Sequence, residues 1–163
     1  MRRIEFINLL KEFARRPVPV SGRHIYLWLE TKELLLSEAP PSLAVHLDLH
    51  ELCQHLEIFP SSDTAARETL EKAITVWLAQ EFHRDGRQHM LIVSGGDLLA
   101  RYQMALSAFV RATDETRLIV LACPAKDTQY RPVSPLPTHV LFQPEATEVY
   151  IRSLLPEGAT IGE

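Results

Sequence analysis

The sequence predicts an α/β fold in which a five-stranded, mostly parallel sheet lies between two layers of helices, a three-layer sandwich. Two observations lead to this prediction. Five short runs typical of strands alternate along the chain with stretches of helical periodicity. Strands separated by helices in this way pair in parallel through right-handed crossover connections.

The predicted strands are short runs rich in apolar, β-branched and aromatic residues. The second run alternates apolar and polar side chains. The others are mostly apolar, as in strands that are covered on both faces. The five predicted strands cover residues 24–30, 43–49, 90–93, 118–122 and 140–142.

The predicted helices follow from apolar residues spaced three and four positions apart. The longest begins at Ser62 or Asp63, either of which can cap it, and its apolar stripe runs to Phe82. Asp97 is predicted to cap a helix that continues without interruption to residue 112. The six predicted helices cover residues 3–15, 31–37, 51–56, 63–84, 97–112 and 145–155.

Length and composition indicate one domain that spans residues 1–163. Residues 1–22 form an N-terminal helix and its connector, and residues 124–137 form a proline-rich loop. The hydrophobic share is 46% and the charged share is 23%, which are ordinary values for a soluble globular protein. The oligomeric state does not follow from these features.

The charge balance argues against a general nucleic-acid clamp, because the formal net charge is −4 and the pI is near 6. Arg2, Arg3, Arg15 and Arg16 flank the first helix and leave room for a small basic patch or for an ordinary solvated surface. We therefore expect DNA to be contacted only indirectly or weakly.

The chain is expected to be cytoplasmic, with no membrane partner. Its first residues mix charged and apolar side chains and lack the continuous apolar centre of a signal peptide. No apolar run approaches the roughly 20 residues that cross a bilayer. Cys53 and Cys123 stand seventy positions apart, a spacing that indicates neither a zinc site nor a disulfide framework.

The order of strands and helices is similar to that of a P-loop NTPase core, but the phosphate loop is missing. Such a loop needs glycines that turn backbone N–H groups onto the phosphates, followed by Lys and Ser or Thr. Here the first strand leads into Thr31, Lys32 and Glu33, with no glycine. The sequence therefore predicts a degenerate P-loop NTPase-like fold that holds no cofactor and carries no catalytic residue.

The third predicted strand is followed by Ser94, Gly95, Gly96 and Asp97, at the edge where an open α/β sheet places its ligands. One interpretation is structural: the glycines turn the chain and Asp97 caps the next helix. The alternative is a ligand site in which the glycine N–H groups and a helix N-terminus bind a phosphate. Asp97 would repel that anion.

Two further sets of residues have side chains of the types that bind a metal ion or a phosphate. His46, Asp48 and His50 would share one side of an extended strand, and these residue types bind Zn²⁺ or Fe²⁺. Alternatively, the strand ends at Asp48, which caps the next helix, and the histidines face solvent or a partner. We predict no metal site. Three arginines have two interpretations, phosphate-sensing residues or ordinary surface residues: Arg117, Arg131 and Arg152.

A family resemblance rests on the second strand with its helix, on the third strand with Asp97-Leu98-Leu99, and on the run Leu106-Ser107-Ala108-Phe109. With the strand at 118–122 and the proline after it, these segments resemble the small P-loop component of type 3 bacteriophage exclusion (BREX) systems. The resemblance covers residues 24–135. It implies a bacterial antiviral defence protein that acts beside a methyltransferase, a phosphatase-like protein and a large ATPase.

Three functions follow as hypotheses. The first is a non-catalytic NTPase-like accessory or scaffold protein of an antiviral defence or DNA-transaction complex, acting through protein–protein contacts within a multi-subunit assembly. The second is a nucleotide- or phosphate-ester-binding enzyme that uses residues 94–97, with or without a metal. The third is an inactive subunit of an assembly similar to a clamp loader.

Overall fold

The computed structural model describes residues 1–17, 24–56, 58–83, 87–123 and 144–162. Within these ranges the chain forms one five-stranded sheet in which every strand pairing is parallel, with helices packed on both faces. The predicted α/β class is confirmed, and the arrangement agrees with a three-layer sandwich. The loop predicted at 124–137 and the strand predicted at 140–142 lie outside the described residues.

The strand order is β2-β3-β4-β1-β5, so β1 lies between β4 and β5. β1 pairs with β4 so that Tyr26 is opposite Val120, and β2 pairs with β3 so that Val45 is opposite Leu91. The strands are β1 (Ile25–Trp28), β2 (Ala44–Asp48), β3 (His89–Ser94), β4 (Arg117–Ala122) and β5 (Thr160–Ile161).

Seven α-helices lie in the described ranges, and all six predicted helical regions contain at least one of them. Ser62 caps α4, and Thr31 caps α2, through their side chains. The helices are α1 (Arg3–Arg15), α2 (Lys32–Glu38), α3 (Leu49–Gln54), α4 (Asp63–Trp77), α5 (Asp97–Arg101), α6 (Ser107–Ala112) and α7 (Pro144–Leu154).

The two faces of the sheet bury alternate residues of each strand, because successive side chains of a strand point to opposite faces. Tyr26 and Trp28 pack with α1 and α2 on one face. Ile25 and Leu27 pack on the other face, where the buried residues of α3 to α7 lie. β1, β3 and β4 are buried almost throughout, which explains why their sequences are apolar without alternation.

The prediction of one uninterrupted helix over residues 97–112 is wrong. Helical structure stops at the end of α5 and begins again at α6, and between them Gln103 has a positive φ of 50°. Tertiary hydrogen bonds hold this break: Arg67 Nε donates to the Tyr102 carbonyl at 2.7 Å, and the Tyr150 hydroxyl donates to the Met104 carbonyl at 2.7 Å. Because of the break, Tyr102 and Met104 are both buried in the core. On a continuous helix, the side chains of residues two positions apart would point in different directions.

The helix predicted over residues 63–84 keeps its α geometry to Trp77 and continues as a π-helical segment, Leu78–Phe82. Its buried side chains recur at intervals of four along the whole length: Ala66, Leu70, Ile74, Leu78 and Phe82. An α-helix has 3.6 residues per turn, so side chains four positions apart are not aligned and their row winds slowly around the helix. The wider π turn therefore keeps Leu78 and Phe82 over the sheet.

β5 was not among the predicted strands. It has two residues, too few for a periodic signal, and it pairs with β1 so that Leu27 is opposite Thr160 and Trp28 is opposite Ile161. No helix in the described part of the chain is both long enough and apolar enough to cross a membrane.

Candidate functional site at the carboxyl ends of the strands

The carboxyl ends of β1, β2 and β3 meet at one edge of the sheet, because all their pairings are parallel. A ligand of an open α/β sheet binds at this edge, near the strands whose connections leave to opposite faces. Here β1 leads to α2 on one face, and the buried Ile151 of α7 lies on the other. We therefore describe this edge residue by residue.

The connection from β1 to α2 closes tightly without a glycine. The indole Nε1–H of Trp28 donates to the carbonyl oxygen of Thr31 at 2.7 Å, and the Thr31 hydroxyl accepts from the backbone N–H of Leu34 at 3.2 Å. One N–H of the first turn of α2 is therefore already bonded within the protein, and Glu33 adds a negative charge to the same turn. This arrangement is unfavourable for a phosphate.

The turn at residues 94–97 is packed from both sides. Gly95 has a φ of 78°, and a Cβ placed on it would lie 2.9 Å from His50 Cδ2. A Cβ on Gly96 would lie 3.1 Å from Ile151 Cδ1. Gly95 is thus needed for its backbone conformation and for close packing against α3, and Gly96 for close packing against α7.

The side chain of Asp97 bonds to His50 and does not cap a helix, so the predicted capping role is wrong. His50 Nε2 lies 2.8 Å from Asp97 Oδ1, and the two side chains are 0% and 1% exposed. A carboxylate can only accept, so the imidazole Nε2–H is the donor. Gly96 takes the cap position of α5, without a side-chain hydrogen bond.

Cys53 lies one helical turn beyond His50 in α3 and is 2% exposed. Its pKa is raised to about 12, because burial disfavours the thiolate and because Asp97 and Asp48 add negative charge nearby. Cys53, His50 and Asp97 contain the residue types of a nucleophilic triad. Burial of the thiol and its raised pKa are unfavourable for a nucleophile, which needs an accessible thiolate at neutral pH.

Ser94 bonds across the sheet to the neighbouring strand. Its hydroxyl oxygen lies 2.9 Å from His46 Nε2, and the serine is 1% exposed. The pKa of His46 lies below its ordinary value, first because the ring is desolvated and then because Lys32 is positive; Asp48 and Glu51 act in the opposite direction. The imidazole of His46 beside Ser94 is therefore neutral. Ser94, however, is too buried to contact a substrate.

The predicted ligand residues Ser94, Gly95, Gly96 and Asp97 are therefore brought to one place, as the strand–turn–helix pattern predicts. Each polar side chain among them already has a partner within the chain. Asp97 Oδ2 is buried and has no hydrogen bond to any described residue. The geometry favours the turn interpretation over the phosphate site.

His46, Asp48 and His50 do not share one side of a strand. β2 ends at Asp48, whose Oδ1 accepts from the backbone N–H groups of His50 and Glu51 at 2.9 and 3.3 Å. His50 lies inside α3 and is buried, contrary to the expectation that the histidines face solvent or a partner. No group of three or more metal-ligating side chains in the described ranges is arranged to hold an ion.

Two of the three arginines considered as phosphate sensors belong to the described residues. Arg117 stands at the amino end of β4, where its guanidinium donates to the Phe82 carbonyl at 3.1 Å and to Asp114 at 3.1 Å. Arg152 pairs with Glu148 at 2.9 Å on α7. Arg131 lies outside the described residues. These contacts assign structural roles to Arg117 and Arg152.

The arginines that flank α1 are partly neutralised by their own helix. Arg2 pairs with Glu5 at 2.7 Å, and Arg16 pairs with Glu12 at 2.6 Å. Exposed pairs of this kind contribute little to stability, but they lower the positive potential of the patch. Whether this chain contacts DNA stays a prediction.

The His50–Asp97 pair was missed in the sequence. The two residues are 47 positions apart and occur in no recognised motif, so no local signal connects them. A scan against protein-family models finds no matching family, a search of curated proteins finds no matching protein, and a search of solved structures finds no matching structure.

Proposed function

We propose that this chain is a non-catalytic, P-loop NTPase-like accessory or scaffold protein that acts through contacts with other proteins. One observation supports this proposal above the others. At the carboxyl ends of β1, β2 and β3, where a nucleotide would bind, the indole of Trp28 donates to a backbone carbonyl, and two pairs of side chains, His46–Ser94 and His50–Asp97, bond to each other. A fold can keep its sheet and lose its site, because function depends on the side chains grafted on it.

The sheet supports the NTPase-like part of the proposal. β1 lies inside the sheet between β4 and β5, so its carboxyl end has a neighbouring strand on each side. The order of the described strands differs from the dinucleotide-binding order 3-2-1-4-5-6 and from the flavodoxin-like order 2-1-3-4-5, so it favours neither of those two classes.

The internal hydrogen bonds at the carboxyl ends of the strands support the proposal that the chain is non-catalytic. In a P-loop ATPase, acidic side chains after the third strand hold Mg²⁺ and the attacking water. The carboxylate at that place here is Asp97, which is buried against His50. The first connection offers no glycine and carries Glu33. Magnesium and triphosphate would both have to displace bonds that the protein makes to itself.

The biological setting comes from the resemblance to the small P-loop component of type 3 BREX systems. By that resemblance, the partners are the methyltransferase, the phosphatase-like protein and the large ATPase of a bacterial antiviral defence complex. The chain would contribute a binding surface to the assembly, and the large ATPase would supply nucleotide hydrolysis.

The test is equilibrium binding of ATP and ADP to the purified, tag-free chain by calorimetry, with and without Mg²⁺. The expected result is no heat of binding up to millimolar nucleotide. The matched experiment is co-expression with each of the three proposed partners, followed by size-exclusion chromatography, in which we expect a stable complex with at least one. Micromolar nucleotide binding with hydrolysis would reject the proposal and favour the enzyme that uses residues 94–97.

A further inference from the structure

We draw no further inference here: the strongest candidate, a polar cavity of about 160 Å³ between the carboxyl end of β2 and α3 that is lined by His46, Asp48, Glu51 and His55, is a cluster of acidic and histidine side chains, and no other feature of the described residues points to a ligand there.

Discussion

His50 Nε2 lies 2.8 Å from Asp97 Oδ1, and neither side chain reaches solvent by more than 1% of its surface. The pair joins α3 to the start of α5 directly beneath the Gly95–Gly96 turn. The most buried polar contact at this edge is therefore a structural contact within the protein and not a contact with a ligand.

Removing one partner of this pair should be costly, because the other is left buried without its hydrogen bond. For Asp97→Ala we expect the free energy of unfolding to fall by about 3 kcal/mol. Asp97→Asn keeps an acceptor oxygen and should cost less. The measurement is urea unfolding followed by circular dichroism.

Asp63→Ala is the comparison for that experiment. Asp63 pairs with Arg101 at 3.2 Å on the exposed side of α4, so its loss should cost less than about 1 kcal/mol. Equal losses for Asp97→Ala and Asp63→Ala would contradict a structural role for the buried pair.

Gly95 and Gly158 form a matched pair for testing the packing of the turn. Both have positive φ, 78° and 86°, so alanine strains the backbone at either position. A Cβ at Gly158 meets nothing within 4 Å, whereas one at Gly95 meets His50 Cδ2 at 2.9 Å. We expect Gly158→Ala to cost about 1 kcal/mol and Gly95→Ala to cost about 2 kcal/mol more.

The excess cost of Gly95→Ala should shrink in a His50→Ala background, because the clashing atom is then gone. A thermodynamic cycle of the two substitutions measures this coupling. If the two costs simply add, the close contact between Gly95 and His50 does not limit the turn.

Ionisation of the Cys53 thiol should lower the free energy of unfolding at alkaline pH. Its folded pKa is about 12, above the ordinary value of 9.0, so the unfolded chain loses the thiol proton first as pH rises. The stabilising contribution is complete below pH 9 and is lost as pH rises from 9 towards 12, at about 1.4 kcal/mol per pH unit. Unfolding by urea under reducing conditions at pH 8, 9 and 10 measures this slope.

Cys53→Ala should flatten the alkaline slope by the amount that the thiol contributes. Burial also raises the pKa of Tyr26, which is the same in both proteins and cancels in the comparison. Burial raises the pKa of Tyr102 too, and the charge of Cys53 adds a smaller increase that is removed together with the thiol. Identical slopes for the two proteins would show that Cys53 ionises normally in the folded state.

His46 should titrate below pH 6.5, because desolvation and the positive charge of Lys32 lower its pKa. The folded state then binds a proton less readily than the unfolded chain, so this group destabilises the fold as pH falls through 6.5. Titration of the imidazole by NMR measures the midpoint. Lys32→Gln should raise it, and an unchanged midpoint would contradict the contribution of Lys32.

Local patterns predicted most of the secondary structure, because propensity, periodicity and capping act between near neighbours. Ser62 and Thr31 cap their helices through hydrogen bonds within one turn. The break at Gln103 was not predictable in this way. It depends on Arg67 and Tyr150, which reach the break from other helices. The strand β5 was missed because two residues carry no period.

The residue sequence alone established the α/β class, the positions of four strands and the absence of a glycine-rich loop after the first of them, since each depends on residues that are neighbours along the chain. The strand order, the burial of His50 and its bond to Asp97 came from the folded chain. The pair spans 47 residues, and whether two such distant side chains meet depends on how β2 and β3 align and on where α3 and α5 begin. That alignment is a property of the whole sheet, so no local window of sequence contains it.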